Sequence, residues 1–228
     1  NGSMSFGWKC VLSDGTPIAE ASGPAFGSKA TSYRSEAYGV ASATKFFVHL
    51  FRFCDIPPCW TCRFVSDNLG LINRLTQLVQ YSEHFPNLTL RPDWDILREI
   101  QMAVRDLGRP ATFSHVKGHQ DDHQYHDDLS LEARLNVDAD HPAGSFRRNA
   151  PYVLSHVPRC SSNFTQLKIK DQTVSGSYRQ AIKKKGSNIF YIPLPRLPPH
   201  YRAEIRPTVV ATRLRYRRLA SQLGDLVS

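Results

Sequence analysis

Strand-like and helix-like segments alternate along the first 143 residues of the chain. The alternating stretch Phe6–Leu12 leads into an Asp-Gly pair, Asp14 and Gly15, which predicts a β-hairpin. Helical apolar spacing over Ser35–Phe53 comes next, with Thr31 or Ser32 as the expected cap. The short apolar run Cys62–Ser66 is typical of a buried strand. Strands that alternate with helices after an initial hairpin predict an α/β domain, with a mixed sheet flanked by helices.

The second half of this region continues the alternation. Its apolar patterns predict, in order, a helix over Leu69–Val79, a helix from Asp93 to Gly108 and a strand over Ala111–Val116. A polar loop over 117–128 leads to a last helix, which starts at Ser130. We expect that helix to end at Asp140, because Pro142 lacks the backbone donor that a helix interior needs.

Positive charge is confined to the C-terminal part of the chain. The whole sequence has 29 Lys and Arg against 20 Asp and Glu, a net charge of +9. Residues 1–143 hold 13 basic and 17 acidic side chains, whereas residues 144–228 hold 16 and 3, a net of +13. This asymmetry indicates an anionic partner for the C-terminal part, either nucleic acid or an anionic membrane surface, or else a solvated extension without a specific partner.

The C-terminal part also differs in its apolar pattern. Prolines are frequent beyond Ala143, and periodic apolar residues are too few to predict an independent core. Leu167–Lys170 and Asn188–Ile192 have strand-like patterns, and Val209–Leu226 has a helix-like one. We therefore divide the chain into a domain over residues 1–143 and a basic, partly ordered C-terminal extension over residues 144–228.

The five cysteines indicate a reducing compartment, because their number is odd and the chain is too long for a disulfide miniprotein. No apolar run approaches the roughly 18 residues of a membrane span, and the N-terminus lacks a signal-peptide pattern. We therefore expect an intracellular protein, cytoplasmic or nuclear, with no membrane partner. Cys54, Cys59 and Cys62 could form half of a zinc site, but we favour thiols that pack as small apolar groups at the entry to a strand.

Three acidic side chains occur where the predicted layout would bring them together. Glu36 is expected in the first turn of the first helix, Asp67 ends the buried strand, and Asp140 lies near the end of the last helix. Converging carboxylates bind hard divalent cations, and two such ions can support phosphodiester hydrolysis. Each acid alone has a simpler explanation: Glu36 as a favourable charge near a helix start, Asp67 as an N-cap and Asp140 as a surface charge.

Four short motifs follow one another along the chain. They are Tyr33–Gly39 at the start of a predicted helix, Phe64–Asn68 at the end of a strand, Val116–His119 and Asn136–Asp140. In this order and spacing they resemble the type 1 ribonuclease H fold, in particular the ribonuclease H domain that follows the polymerase in retrotransposon reverse transcriptases. The resemblance covers about residues 4–143 and implies a ribonuclease H-like mixed sheet flanked by helices.

The resemblance implies divalent-metal-dependent hydrolysis of the RNA strand of an RNA–DNA hybrid. It implies that Glu36, Asp67 and Asp140 bind two Mg²⁺ or Mn²⁺ ions, and that His119 assists proton transfer and product release. Asp138 is a weaker candidate for the last carboxylate. The implied partners are the hybrid, or other nucleic acid, and the polymerase portion of a retroelement polyprotein. For phosphate contacts we single out these basic side chains: Lys117, Lys183, Lys184, Lys185, Arg215, Arg217 and Arg218.

The N-terminal end departs from the family pattern. The family's sheet begins with a central strand that ends in an Asp-Gly-Ser motif, whose aspartate bridges both metal ions. Here Asn1, Gly2 and Ser3 stand directly before the hairpin. Either Asn1 takes the aspartate's position, or the first strand and its aspartate lie upstream; we favour the second. We therefore predict that the chain as written binds metal weakly and cleaves poorly or not at all, and that Asn188–Ile192 is a candidate to fill the gap beside Cys62–Ser66.

Other functions stay open. A catalytically degenerate ribonuclease H-like module would bind nucleic acid without cutting it, and a plain protein-interaction fragment is a further alternative. A transposase or integrase core shares the fold, but its last acid would be a glutamate on a long helix, where this chain has Asp140. The loop Gly118–Asp128 holds three His and four Asp, which could form a separate metal site, although we favour a solvated loop beside the active site.

Overall fold

Four strands and four helices make up the described part of the first 149 residues. A computed structural model describes residues 4–27, 30–55, 59–80 and 91–149, and short stretches of the extension at 168–169, 172–178, 180–181 and 189–190. In chain order the elements are β1 (Met4–Val11), β2 (Pro17–Ala25), α1 (Ser32–Phe53), β3 (Cys62–Ser66), α2 (Leu69–Val79), α3 (Trp94–Leu107), β4 (Ala111–His115) and α4 (Leu131–Asn149). The predicted order of strands and helices is confirmed.

The first two strands form the predicted hairpin. They are antiparallel, and Lys9 of β1 is the cross-strand partner of Glu20 in β2. A backbone hydrogen bond of 2.8 Å from Leu12 N to the Thr16 carbonyl closes the turn. Gly15 lies in this turn with a φ of 88°, a conformation that costs glycine little because it has no Cβ.

Helix α1 begins after Thr31, one of the two residues predicted as its cap. Thr31 caps it, because its side-chain oxygen accepts a hydrogen bond of 3.2 Å from the backbone N–H of Arg34. The helix therefore starts at Ser32, and Glu36 lies in its second turn. The expectation that Glu36 lies in the first turn, where its charge would favour the helix start, is wrong.

Strands β3 and β4 run parallel, in a register that pairs Cys62 with Ala111 and Ser66 with His115. Helices α2 and α3 lie between them in sequence, and such crossovers are the usual connection of parallel strands. Gly108, with a φ of 65°, ends α3 as predicted. Because the strands are parallel, the residues that follow both of them lie at the same edge of the ladder.

Within the described residues, the β1–β2 pair and the β3–β4 pair are not hydrogen-bonded to each other. The α/β class, with both antiparallel and parallel strands, is confirmed, but these residues do not form one continuous mixed sheet. Helix α1 packs on both pairs through its aromatic side chains: Phe46 contacts Trp8 of β1 with ring centroids 5.2 Å apart, and Phe47 contacts Phe64 of β3 at 6.3 Å. Side-chain packing, rather than a shared ladder, therefore forms the common core.

Ion pairs hold α3 against the start of α1. The Arg34 side chain is 1% exposed and donates to Oδ1 of Asp93 at 2.9 Å and to both carboxylate oxygens of Asp95, at 2.9 and 2.5 Å. Asp93 has a φ of 56° and directly precedes α3, so the guanidinium also holds a left-handed backbone turn. Because Arg34 lies two positions before Glu36, this network fixes the part of α1 that carries Glu36.

Helix α4 does not end at Asp140. It continues through Pro142 to Asn149, so the predicted helix end is wrong, and the proposed domain boundary after residue 143 falls inside this helix. Tertiary contacts account for the continuation: the Ser5 hydroxyl donates to the Ala143 carbonyl at 2.7 Å, and the Ala139 carbonyl occupies the space that a Cβ at position 7 would need. The helix therefore packs its backbone directly on the glycine of β1.

The extension contains a small antiparallel sheet. Its strands are β5 (Lys168–Ile169), β6 (Gln172–Thr173) and β7 (Ile189–Phe190), in the order β6-β5-β7. The strand-like patterns at 167–170 and 188–192 are thus borne out in their described residues. Because β7 pairs with β5, the prediction that this segment fills the gap beside β3 is wrong. The helix predicted over Val209–Leu226 lies outside the described residues.

None of the described helices combines the length and the apolar composition that crossing a membrane requires.

Candidate acidic site

Three elements bring acidic side chains to the carboxyl end of β3. Asp67 directly follows this strand, Glu36 lies in the second turn of α1, and Asp140 lies on α4. The charge of Asp67 acts on both of the other carboxylates. The structure therefore brings together the three acids that the sequence motifs singled out.

Glu36 is held by the residues on either side of Asp67. The Ser66 hydroxyl donates to its Oε2, and Nδ2 of Asn68 donates to its Oε1 at 3.3 Å. Burial and the charge of Asp67 raise the pKa of Glu36 to about 7, against the hydrogen bonds from Ser66 and Asn68, which lower it. Without a cation, both the neutral and the charged forms of this carboxyl group are consequently populated near neutral pH.

Asp67 does not cap the following helix. The N-cap of α2 is Asn68, whose side-chain oxygen accepts a hydrogen bond of 3.1 Å from the backbone N–H of Leu71. The simpler explanation of Asp67 as an N-cap is therefore wrong, and its carboxylate is left for another role. Gly118 lies against this carboxylate so closely that a Cβ there would overlap Oδ2 of Asp67. The ring of His115, at the end of β4, lies 3.1 Å from the Asp67 carbonyl oxygen.

Asp140, rather than Asp138, lies within reach of the charge of Asp67. Partial burial and the charges of Asp67 and Asp121 raise the pKa of Asp140, while His119 lowers it. Asp138 instead binds Lys9 and His126, at 2.8 Å each. Hydrogen bonds from these two groups lower the pKa of Asp138 against the effect of its partial burial. The preference for Asp140 over Asp138 as the third carboxylate thus agrees with the geometry.

The loop between β4 and α4 brings His119 to the edge of the acidic site. His119 is exposed and has a φ of 52°, directly before a 3₁₀ turn, Gln120–Asp122. Its charge acts on Asp140, so the ring is near that carboxylate. Lys117 is exposed in the same loop. The other six basic residues singled out for phosphate binding, three lysines at 183–185 and Arg215, Arg217 and Arg218, lie outside the described residues.

The carboxylates of Glu36, Asp67 and Asp140 have the chemistry of a site for a hard cation, but they lie too far apart to hold one together. Carboxylate oxygens are the ligands that Mg²⁺ and Mn²⁺ prefer, and both burial and the nearby charge of Asp67 raise the pKa of Glu36. In the part of the chain that the structure describes, no three His, Cys, Asp or Glu side chains already lie close enough to hold an ion. The residues therefore fit a divalent cation in type, and binding would require these carboxylates to move closer together.

The two alternative metal sites have no cluster among the described residues either. In the first, Cys54 and Cys59 are exposed and Cys62 is buried, so of these three cysteines only Cys62 packs as a small apolar group at the entry to the strand. Burial raises the pKa of Cys62. In the second, the side chains of the loop 118–128 are spread over two 3₁₀ turns, the later being His126–Asp128, and most are exposed.

Several residues of this site were not identified as functional from the sequence. Ser66, Asn68 and Gly118 belong to the motifs, but their roles as partners of Glu36 and Asp67 depend on contacts between distant parts of the chain. A signal was available for His115, because it lies near the end of the strand predicted over Ala111–Val116, directly before the polar loop that carries His119. Asp121 carried no signal beyond its place in an acidic loop.

A scan against protein-family models and searches of curated proteins and of solved structures returned no match for this chain.

Proposed function

We propose that this chain is a ribonuclease H-type domain of a retroelement reverse transcriptase, whose reaction is the divalent-metal-dependent hydrolysis of the RNA strand of an RNA–DNA hybrid, and that its cleavage is weak because no residue of the given sequence takes the place of the family's bridging aspartate. The observation that supports it most is the convergence of Glu36, Asp67 and Asp140 at the carboxyl end of β3. A further support is that Asn68, and not Asp67, caps α2, so the Asp67 carboxylate is not used for capping. Acidic side chains grouped against their mutual repulsion are typical of functional sites.

In this proposal Glu36, Asp67 and Asp140 would hold Mg²⁺ or Mn²⁺. A metal held by these carboxylates would supply a nucleophile at neutral pH and would stabilise the negative charge of the leaving oxygen. Ser66 and Asn68 orient Glu36, so that both of its oxygens are fixed before the cation binds. His119, whose charge lowers the pKa of Asp140, would exchange a proton there, and Lys117, exposed in the same loop, would contact a phosphate.

A second candidate is a module that binds the same nucleic acid without cutting it. It is favoured by the open geometry of the carboxylates, because no three ligand side chains of the described residues are yet close enough for a metal ion. The raised pKa of Glu36 also weakens metal binding near neutral pH, because the cation must displace a proton.

Cleavage of a labelled RNA–DNA hybrid by the full chain, with Mg²⁺ or Mn²⁺, tests the two candidates. If the chain is a nuclease, it cleaves the RNA strand, Asp67→Asn abolishes cleavage, and the exposed loop variant Asp122→Asn leaves it unchanged. Binding without cleavage would support the second candidate. Absence of binding to the hybrid would overturn both.

The basic extension gives a separate test of nucleic-acid binding. Replacing Lys183, Lys184 and Lys185 together by Gln leaves α4 intact, which truncation after residue 143 would not do. If these lysines contact phosphates, affinity falls and its dependence on salt becomes flatter, since fewer counterions are released. An unchanged salt dependence would contradict the role proposed for the extension.

A further inference from the structure

Helix α4 continues past the acidic site and ends in two arginines. Asp140 is followed in the helix by residues 141–149, which hold Arg147 and Arg148 but no acidic side chain. Both arginines are exposed in the last turn. A positive charge there is favourable in any helix, because it meets the negative end of the helix dipole. The positions of the two side chains relative to Asp140 point to a further role for one of them.

Arg147 lies on the same face of α4 as Asp140. Seven positions separate them, which is two helical turns to within about 20°, so Arg147 lies about 10 Å further along the helix. Arg148 is instead turned by about 80° from Asp140 around the helix axis. Its guanidinium lies over Gly144 and donates to the Ser145 hydroxyl at 3.2 Å. The two neighbouring arginines therefore carry the same charge in different surroundings.

Contacts with β1 hold this part of α4 on the domain. The Ser5 hydroxyl donates to the Ala143 carbonyl at 2.7 Å, one turn before the arginines. The Ala139 carbonyl lies against Gly7, where a Cβ would overlap it. The helix is therefore anchored on both sides of Asp140, and its last turn keeps a defined position relative to the acidic site.

We propose that Arg147 binds a backbone phosphate of a nucleic acid that lies across the acidic site, an inference that rests on the proposed function. A guanidinium binds two phosphate oxygens at once. Lys117 is exposed directly before Gly118, which lies against the Asp67 carboxylate, so a basic side chain follows the acids on that side as well. Because successive nucleotides rise 3.4 Å along a duplex, about 10 Å places the Arg147 phosphate within about three nucleotides of the acids. The bound strand consequently runs from Lys117 toward the end of α4.

Equilibrium binding of a labelled RNA–DNA hybrid by the full chain in Mg²⁺, measured over a range of salt concentrations, tests this contact. Arg147→Gln should lower the affinity about three- to tenfold at about 0.1 M salt and reduce the slope of log affinity against log salt by about one. The matched control is Arg148→Gln, which removes the same charge from the same helix end and so weakens long-range attraction equally. It should lower the affinity less than about twofold.

Thermal unfolding checks that both variants are folded, and their midpoints should agree because each loses one favourable charge at the helix end. An equal or larger loss of affinity in Arg148→Gln, or no loss in Arg147→Gln, would overturn the phosphate contact and leave the proposed function in place. A wild-type chain that does not bind the hybrid would overturn both.

Discussion

The hydroxyl of Ser66 links two groups of the acidic site: it donates to Oε2 of Glu36 and accepts a hydrogen bond of 3.1 Å from the backbone N–H of Asn68. The last residue of β3 thus orients a carboxylate that belongs to a helix 30 positions earlier in the sequence. The same contact sets Glu36 beside Asp67, whose charge opposes ionisation of Glu36. The site is therefore assembled at a cost in stability, which is typical of sites that await a cation or a substrate.

Glu36→Gln should stabilise the protein at alkaline pH. The pKa of Glu36 is raised from about 4.5 in the unfolded chain to about 7 in the fold, so between these values the folded chain binds more protons. Stability consequently falls as pH rises through this window. The variant lacks this loss, so we expect its free energy of unfolding to exceed that of the wild type by about 1–2 kcal/mol above pH 7. This is less than the whole pKa shift would give, because the carboxyl group keeps some contact with solvent.

Chemical denaturation at about pH 4.5 and about pH 8 measures this gain, which should be absent at the lower pH. Glu20→Gln changes an exposed carboxylate of β2 and serves as the control. A variant that is less stable than the wild type at about pH 8 would show that burial and the charge of Asp67 do not oppose ionisation of Glu36 in the fold.

Gly118→Ala should disturb the acidic site directly. A methyl group at this position would overlap Oδ2 of Asp67, so either the loop or the carboxylate must move. We expect a loss of about 1–3 kcal/mol in the free energy of unfolding and weaker binding of Mn²⁺. Gly70→Ala is the matched control, because its Cβ would approach only the Asn68 side chain, at 3.4 Å, in the first turn of α2. Equal stability of the two variants in thermal unfolding would contradict the prediction.

Arg34→Met should be one of the most destabilising substitutions in α1. It removes a guanidinium that is 1% exposed and leaves the carboxylates of Asp93 and Asp95 without this partner. Loss of one partner of a buried ion pair costs about 3–5 kcal/mol, because the remaining charge has no compensation. The exposed Arg52→Met in the last turn of the same helix should cost less than about 1 kcal/mol. Urea denaturation that ranks the two variants equally would refute a structural role for the network.

Local sequence signals predicted those features of the fold that depend on the conformation of a few neighbouring residues. The Asp-Gly turn at Asp14 gave the hairpin, and Gly108 gave the end of α3, because both depend on backbone conformations that glycine favours. Whether the strand pairs join into one sheet could not be predicted, since strand pairing is set by partners far apart in sequence. The polar residues before the apolar stripe predicted Thr31 or Ser32 as the cap of α1, and the structure assigns Thr31.

The acids of the candidate site could be chosen from motifs, but their surroundings could not. Sequence patterns placed Asp67 at a strand end and left its capping role open; only the hydrogen bond from Leu71 to Asn68 assigns the cap. Likewise Asp138 and Asp140 are both aspartates of the same helix. Their different roles follow from their neighbours, which are Lys9 for Asp138 and Asp67 for Asp140. Such differences arise from tertiary packing. The spacing of residues along one helix predicts which of them share a face, but not which partner that face contacts.

Pro142→Ala should stabilise the protein, because α4 continues through this proline. Proline cannot donate a hydrogen bond to the carbonyl of Asp138 one turn earlier, whereas alanine can. The gain is partly offset by the greater freedom of alanine in the unfolded chain, so we expect a net increase of about 1–2 kcal/mol, measured as a higher urea midpoint. His141→Ala, an exposed neighbour in the same helix, should change stability by less than about 0.5 kcal/mol. A less stable Pro142→Ala variant would contradict this prediction. It would show that the proline is needed to direct the Ala143 carbonyl toward the Ser5 hydroxyl, 2.7 Å away, through the helix bend that a proline causes.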